Sequence, residues 1–415
     1  MTSLKLIFSL FIISFYSCSY VYAADLKKLA IEEFKKANYP KAIEILEHAL
    51  IENNDDLELY YCLGYFTHYL CYDSVPLTGF DIRKSDEVLA YLGKAVELKP
   101  SYGDAYYFIG AEYGVRARRH LGKGEVDRAV FEFRLAREKG GLPDWLIEYG
   151  RNNLKTCDRD AILFTGGDAD TNPIEYLQLV ENYRRDVTVI PIALLNRPWF
   201  VQMIKYGIEN AINAAPISWS REQIHDMHPY KWKTNLILIA VPETIKAELQ
   251  IDKDFEWELE PDFEGRLSAG AAVLADIVKT NQWARSIYFS VACHPGMYHG
   301  LGDFFQSCGT TYRLIPTQTK DTELELDIKC IEDVFMDGDN YKSIASVADN
   351  NMPRASHMLN NYRAALFRLL IHYYKDKNKR RAKEVLDFME STIREEYVAS
   401  GALGEHLASY RKLLE

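Results

Sequence analysis

The chain has 415 residues, 48% hydrophobic and 26% charged, and its 60 Asp+Glu against 49 Lys+Arg leave a net charge of −11. At roughly 150 residues per domain this length predicts two or three domains, and the acidic balance excludes the basic surface that a nucleic-acid-binding protein needs. With 28 Tyr and 19 Phe the chain is also too aromatic to be intrinsically disordered.

At the front, Lys5 is followed by an apolar stretch over 6–16 and by Val21-Tyr22-Ala23, a small-residue cleavage site. The stretch is too short to span a bilayer, so residues 1–23 read as a cleaved secretory signal and the protein as periplasmic or secreted. The alternative is a lipid anchor at Cys18, against which stands Phe15, where lipoprotein signals usually carry Leu. The later apolar runs, Val187–Leu195 and Leu236–Val241, fall well short of the ~20 residues of a membrane-spanning helix, so no span is expected. Six further cysteines permit disulfides. Cys62 and Cys71 read as core residues, Cys293 and Cys308 as a pair able to close a loop, and Cys157 and Cys330 are unassigned.

Residues 24–157 read as helical hairpins. In Leu29–Leu50 the small residues Ala30, Ala42 and Ala49 fall where two antiparallel helices approach, with Phe34, Ile45 and Leu46 along the seam. The clearest unit is Tyr106-x-x-Ile109-Gly110-x-x-Tyr113, followed by Ala129, Phe133 and Ala136; a second copy runs Tyr60-x-x-Leu63-Gly64, then Leu92, Ala95 and Pro100. These spacings resemble helices A and B of the tetratricopeptide repeat. The resemblance implies two or three degenerate repeats over 25–140, their turns lengthened at Tyr72–Arg83 and Arg116–Lys123. Repeat stacks must bury an open face on a neighbour, a part assigned here to Trp145–Leu154. The plain alternative is a packed α-hairpin stack that binds nothing.

Near residue 158 the pattern changes. Asp160–Thr165 reads as a buried strand, Gly166–Pro173 as a loop, Ile174–Arg185 as a helix, Asp186–Leu195 as a second buried strand and Pro198–Tyr206 as the start of another helix. This is a β-α-β unit with a parallel pair. Asn172 is placed to cap the first helix with Pro173 at its first position, and Asn196 and Pro198 repeat the arrangement. Further strands are expected at Asn235–Val241 and Arg285–Val291, giving a mostly parallel sheet. Ligands of such sheets bind beyond the carboxyl ends of the strands, an edge that here carries Asp168, Asp170, Asn172, Asn196, Arg197 and Trp199.

A family resemblance follows from these segments. The Gly167-Asp168-x-Asp170-Thr171-x-Pro173 loop, Tyr176-Leu177-Gln178, Arg184-x-Asp186-Val187 and Leu194-Leu195-Asn196-x-x-Trp199, followed by Trp283–Ser290 and Gly309–Pro316, resemble the soluble C-terminal part of DUF2723 proteins. Those are bacterial envelope proteins classed as protein O-mannosyltransferase-like glycosyltransferases. The resemblance covers about 158–400 and implies a Gram-negative envelope setting. Transferase chemistry in that family is attributed to a multispanning membrane portion absent from this sequence, so no catalytic residue carries over.

Asp168-x-Asp170-x-Asn172 is the sharpest chemical signal, since alternate oxygen ligands open calcium loops and Asp-x-Asp pairs hold divalent metals in nucleotide-sugar transferases. Against calcium, Pro173 stands where an EF-hand needs Gly and Leu179 where it needs Glu. Three readings remain: a rigid turn whose side chains bond loop amides, a sugar or polar-ligand site, and a divalent-metal site. Cys293-His294-x-x-x-x-His299 offers soft ligands without a second pair at zinc spacing, and a structural loop is the alternative. His68, His120 and His225 pair with no nucleophile, and Glu256–Glu264 reads as solvated charge.

The C-terminal 346–415 closes with a hairpin, Tyr362–Tyr374 and then Ala382, Leu386 and Met389 after the basic turn Lys375–Arg381, for packing or for an acidic partner. The expectation is thus TPR-like hairpins over 24–157, an α/β domain over 158–345 and a helical hairpin over 346–415. Functionally it is an exported, non-catalytic scaffold that binds an envelope protein or glycan without a cofactor. The alternative is a carbohydrate-active enzyme, or an accessory subunit of a glycosyltransferase, with a polar site at Asp168 and Asp170.

Overall fold

The computed structural model describes residues 23–73, 80–320, 322–350 and 354–415; residues 1–22, Cys18 among them, and 74–79 of the expected insertion at Tyr72–Arg83 lie outside these. The chain divides into two compact units, one comprising Met1–Arg116, Ala136–Gly141 and Asp349–Met352, the other Ala117–Leu135, Leu142–Ala348 and Pro353–Glu415.

The first unit is built of helices α1 (23–35), α2 (Tyr39–Glu52), α3 (Leu57–Asp73), α4 (Ile82–Leu98) and the first four turns of α5 (Gly103–Leu121). In α2, Ala42, Ile45, Leu46 and Ala49 are buried, the i, i+3, i+4, i+7 stripe of a helix with one covered face. They meet Ala30, Leu59, Leu63 and Phe66, and Phe34 stacks on Phe66 with ring centres 4.1 Å apart. Ser85, Val88, Leu92 and Ala95 form the matching stripe on α4, which Asp81 caps by accepting from the Arg83 amide. Gly110, whose place in the repeat-like spacing would let the second helix of the pair pack on its backbone, meets a loop instead. A Cβ there would lie 2.4 Å from the carbonyl oxygen of Gly141, so the partner is the loop after α6 (Val126–Glu138). Arg116–Lys123 departs from expectation: α5 runs on to Leu121, so these residues mostly add helix rather than lengthen a turn.

The second unit centres on a five-stranded sheet in the order β2 (Thr188–Pro191), β1 (Ile162–Thr165), β7 (Ile287–Ser290), β9 (Thr311–Leu314), β8 (Phe305–Ser307). The β2–β1 and β1–β7 pairs are parallel, and β7–β9 and β9–β8 are antiparallel. Strands β1 and β7 are buried along their whole length, which requires cover on both faces. Helices α7 (Asp144–Lys155) and α8 (Asp168–Leu179) pack together on this unit, with Gly150 against Pro173 and Ile174. Between β2 and β7 come α9 (Pro198–Tyr206), α10 (Arg221–His225), β3 (Tyr230–Lys231), β4 (Asn235–Ile239), α11 (Glu243–Leu249), β5 (Phe255–Leu259), β6 (Arg266–Leu267) and α12 (Ala269–Asn281).

The strand expected at Asn235–Val241 forms but does not join the sheet. As β4 it pairs antiparallel with β5, burying Ile237 and Ile239 while Leu236 and Leu238 stay outside. Its unbroken apolar run looks like a strand covered on both faces, yet the hairpin covers only one.

The C-terminal part adds α13 (Ile328–Phe335), α14 (Val347–Asn350), α15 (Arg354–Lys375), α16 (Lys379–Thr392) and α17 (Leu403–Leu414). The expected hairpin is α15–α16, with Tyr362, Ala382, Leu386 and Met389 buried. Its basic turn is engaged in packing at Arg381, which donates to Glu332 of α13 at 2.6 Å. Asn152 of α7 donates to the Tyr362 hydroxyl at 2.8 Å, anchoring α15 beside α7. Among the described residues no helix is long and apolar enough to cross a membrane.

Candidate functional site

The acidic loop lies at the carboxyl end of β1, between its parallel neighbours β2 and β7, where the strand order of open α/β sheets reverses and ligands bind. Its local structure differs from expectation. Helix α8 starts at Asp168, after Gly167 at φ +82° and with no side-chain cap, so Asn172 and Pro173 both lie inside the helix rather than at its start. Starting at Asp168 places two carboxylates in the first turn, where the helix dipole favours negative charge.

The two aspartates face different partners. Asp170 is fully buried: one carboxylate oxygen accepts from the Gly166 amide at 2.9 Å, the other from the Ser290 hydroxyl at 2.9 Å and the Asn153 amide group at 3.1 Å. It therefore ties the loop after β1 to the end of β7 and to α7. Burial pushes its pKa up to about 6, against the pull of those three hydrogen bonds. Asp168 keeps about a third of its side chain exposed and accepts from Arg118 at 2.9 Å.

Arg118 organises the rest. It also donates to Asn172 and to Glu175, each at 2.7 Å. One buried guanidinium thus supplies the positive charge that Asp168, Asn172 and Glu175 face together. Burial raises the Glu175 pKa, and the Arg118 charge opposes that rise. The adjacent Arg119 lies 4.5 Å over the Trp199 ring. Both arginines sit in the last turn of α5, where the helix dipole favours cations.

Asn196 does not cap α9; the capping position is Arg197, which makes no side-chain cap. Its side-chain oxygen accepts from the Gly270 amide at 2.8 Å, while Ser268 accepts from Ala271. Two side chains from different segments thus close the start of α12. Arg197 is half-buried, and its carbonyl accepts the amides of Phe200 and Val201 at 3.0 Å.

The loops around the switch point also meet through backbone. A Cβ on Gly166 would lie 2.3 Å from the carbonyl oxygen of Ala292, so only glycine lets the loop after β1 rest on the loop after β7. The structure thus brings Asp168, Asn172 and Asp170 to one sheet edge, puts Trp199 against the end of α5, and places Asn196 at a different helix. Sequence reasoning missed Arg118, Asn153, Glu175 and Ser290. None of the four stands out locally: Arg118 is one of several basic residues at the end of α5, beside Arg116, Arg119 and His120, and only the packing singles it out.

The cysteine and histidine candidates fall apart. All six described cysteines are free, so the expected Cys293–Cys308 loop closure is corrected. Cys293 donates to the Phe164 carbonyl at 3.5 Å, and burial raises its pKa. Cys308 contacts Cys330 instead, and that hydrogen bond together with burial raises its pKa. His294 accepts from the Gly296 amide at 3.1 Å, closing a turn. Among the described residues no three His, Cys, Asp or Glu gather so as to hold a metal. His68 meets Glu112 at 2.5 Å, and Ser85 donates to the other Glu112 oxygen at 2.6 Å. The hydroxyl therefore faces the carboxylate rather than the imidazole, which is not the order of a Ser–His relay.

Fold and site together define an α/β unit with a mixed sheet, a cross-braced switch point and flanking helical hairpins. A domain family described as TMEM260-associated domain 2 matches residues 146–239 and 233–332. These two stretches, which overlap at 233–239, take in the sheet and the acidic loop and fall largely within the segment whose motifs resemble DUF2723 proteins. No curated protein matches the chain.

Proposed function

We propose that this is an exported, non-catalytic binding or scaffold protein of the bacterial cell envelope. Its helical hairpins would be degenerate tetratricopeptide-like repeats, and its α/β unit a DUF2723-like accessory domain that engages a protein or glycan partner. One observation carries the non-catalytic reading. At the sheet edge where a ligand would enter, Asp170 is bound by Gly166, Asn153 and Ser290, and Asn172 and Glu175 by Arg118. Side chains held this way build a rigid turn rather than a reacting group. The export and envelope parts rest on the leader-like start and on the DUF2723 resemblance. The second reading, a polar-ligand or carbohydrate-active site, is favoured by one feature, the partly exposed Asp168 carboxylate.

Affinity capture from the source envelope, followed by a glycan-binding screen, tests both readings. The scaffold reading expects a partner retained equally by Asp168→Asn. Turnover of a sugar substrate that Asp168→Asn abolishes would replace it with the enzyme reading. Mass spectrometry of the secreted protein tests the leader: a start at Ala24 is expected, and a lipid-modified Cys18 would overturn it.

A further inference from the structure

The Glu256–Glu264 segment and the Cys293–His299 segment, unrelated in sequence, wall one groove. It holds about 650 Å³ and is bounded by Leu236, Glu256 and Glu258 of the β4–β5 hairpin, by the loop 260–266, and by His299 to Phe304. Among the described residues nothing covers the hairpin's outer face. Leu236 and Leu238 are 52% and 63% exposed, and the register sets them directly opposite Glu258 and Glu256. In the middle of the same loop Phe263 is 97% exposed. Exposed apolar groups clustered beside a groove mark an interaction surface more than scattered single residues do.

Charge decides what fits. Among the described residues Glu256, Glu258, Glu260 and Asp303 have no ion-pair partner, whereas Glu175, Asp186 and Glu332 each hold an arginine. Arg266, the groove's one arginine, pairs with Glu264 at 3.8 Å. Glu256 and Glu258 are alternate strand residues on one face, spaced by roughly 6.5–7 Å. That spacing matches alternate side chains of an extended peptide lying along the hairpin. Burial lowers the His299 pKa, so the imidazole adds no positive charge near neutral pH.

We infer that the outer face of the β4–β5 hairpin and its groove dock an extended, basic segment of a protein partner, with Lys or Arg at alternate positions against Glu256 and Glu258 and apolar residues against Leu236, Leu238 and Phe263. The inference rests on the binding-protein reading and specifies its surface and its partner's chemistry.

The test is titration of a labelled peptide of alternating Lys and Val into the full chain, followed by fluorescence anisotropy. Two double variants, Glu256→Gln/Glu258→Gln and Leu236→Ser/Leu238→Ser, change exposed side chains, and circular dichroism checks that they fold. The wild type is expected to bind, with affinity falling as salt rises, and each double variant to lose about tenfold or more, the size expected when a few complementary charges or apolar contacts are removed. No binding by the wild type at low salt, or equal binding by folded double variants, would overturn the inference. Loss in the Gln pair alone would reduce it to general electrostatic attraction and overturn the docking geometry. Repeating envelope capture with the same variants separates the two levels. A partner retained by both refutes this groove but leaves the binding reading intact, whereas failure of that reading shows as sugar turnover dependent on Asp168.

Discussion

Arg118 neutralises the acidic turn from within. Its guanidinium serves three acceptors, Asn172 and Glu175 through Nη1 and Asp168 through Nη2, a planar fork that a lysine ammonium cannot reproduce. Arg118→Met would leave Glu175 buried without a counter-charge. The expected loss is on the order of 3–5 kcal/mol, the range for removing one member of a buried pair, measured by urea denaturation; Arg118→Lys should recover only part of it. Asp170 adds a pH dependence. Its folded pKa is about 6 against an ordinary 3.8, so the native state holds a proton that the unfolded state has released. Its stabilising contribution is complete below about pH 4 and is lost as pH rises toward 6, by roughly 3 kcal/mol at ~1.4 kcal/mol per unit. Asp170→Asn cannot titrate. Wild type should therefore weaken relative to this variant between about pH 4 and 6 in thermal melts, and a constant difference in melting temperature would refute the assignment.

Between elements, the sheet edge is held by backbone approach as well as by side chains, and both set the cost of substitution. Gly166→Ala would drive a Cβ into the Ala292–Cys293 peptide, 2.3 Å from its oxygen. Neither loop can yield without moving the strand behind it, so a loss of about 1–3 kcal/mol is expected, as in other overpacked sites. Asn196→Ala removes only a cap on α12, and Ser268 still caps Ala271. The expected loss is about 1 kcal/mol. Denaturation of both variants should rank Gly166→Ala as the more damaging; the reverse order would mean that the two loops do not meet through Gly166.

For the whole molecule, packing rather than covalent stapling holds the fold, since the six described cysteines are free and four of them are buried. Native protein should expose Cys62 and Cys330 to a thiol reagent first. Denaturant should release all six, and reductant should leave the melting temperature unchanged. A drop in melting temperature on reduction would reveal a cross-link. The exposed histidines and charged faces give no such handle, being spread over both units.

Much of this architecture was legible in sequence because it depends on local periodicity. The Ala42–Ala49 stripe, the buried β1 and β2 strands and the Tyr362–Met389 hairpin each follow from apolar spacing that neighbouring residues alone determine. Net charge, the aromatic-rich core and the helix–strand–helix succession were fixed at the same level. What tertiary structure alone decided were the partnerships. Arg118 sits 50 residues before Asp168 and Ser290 120 residues after Asp170, and no local pattern encodes which buried cation meets which carboxylate. The same holds for Asn196, which looks like a cap for the helix that follows it and instead caps α12, and for β4, whose apolar run does not reveal that only one face finds cover. Chain segments distant in sequence become neighbours only when the sheet forms, and that meeting turns the Asp-x-Asp loop from a set of free oxygens into a cross-braced turn.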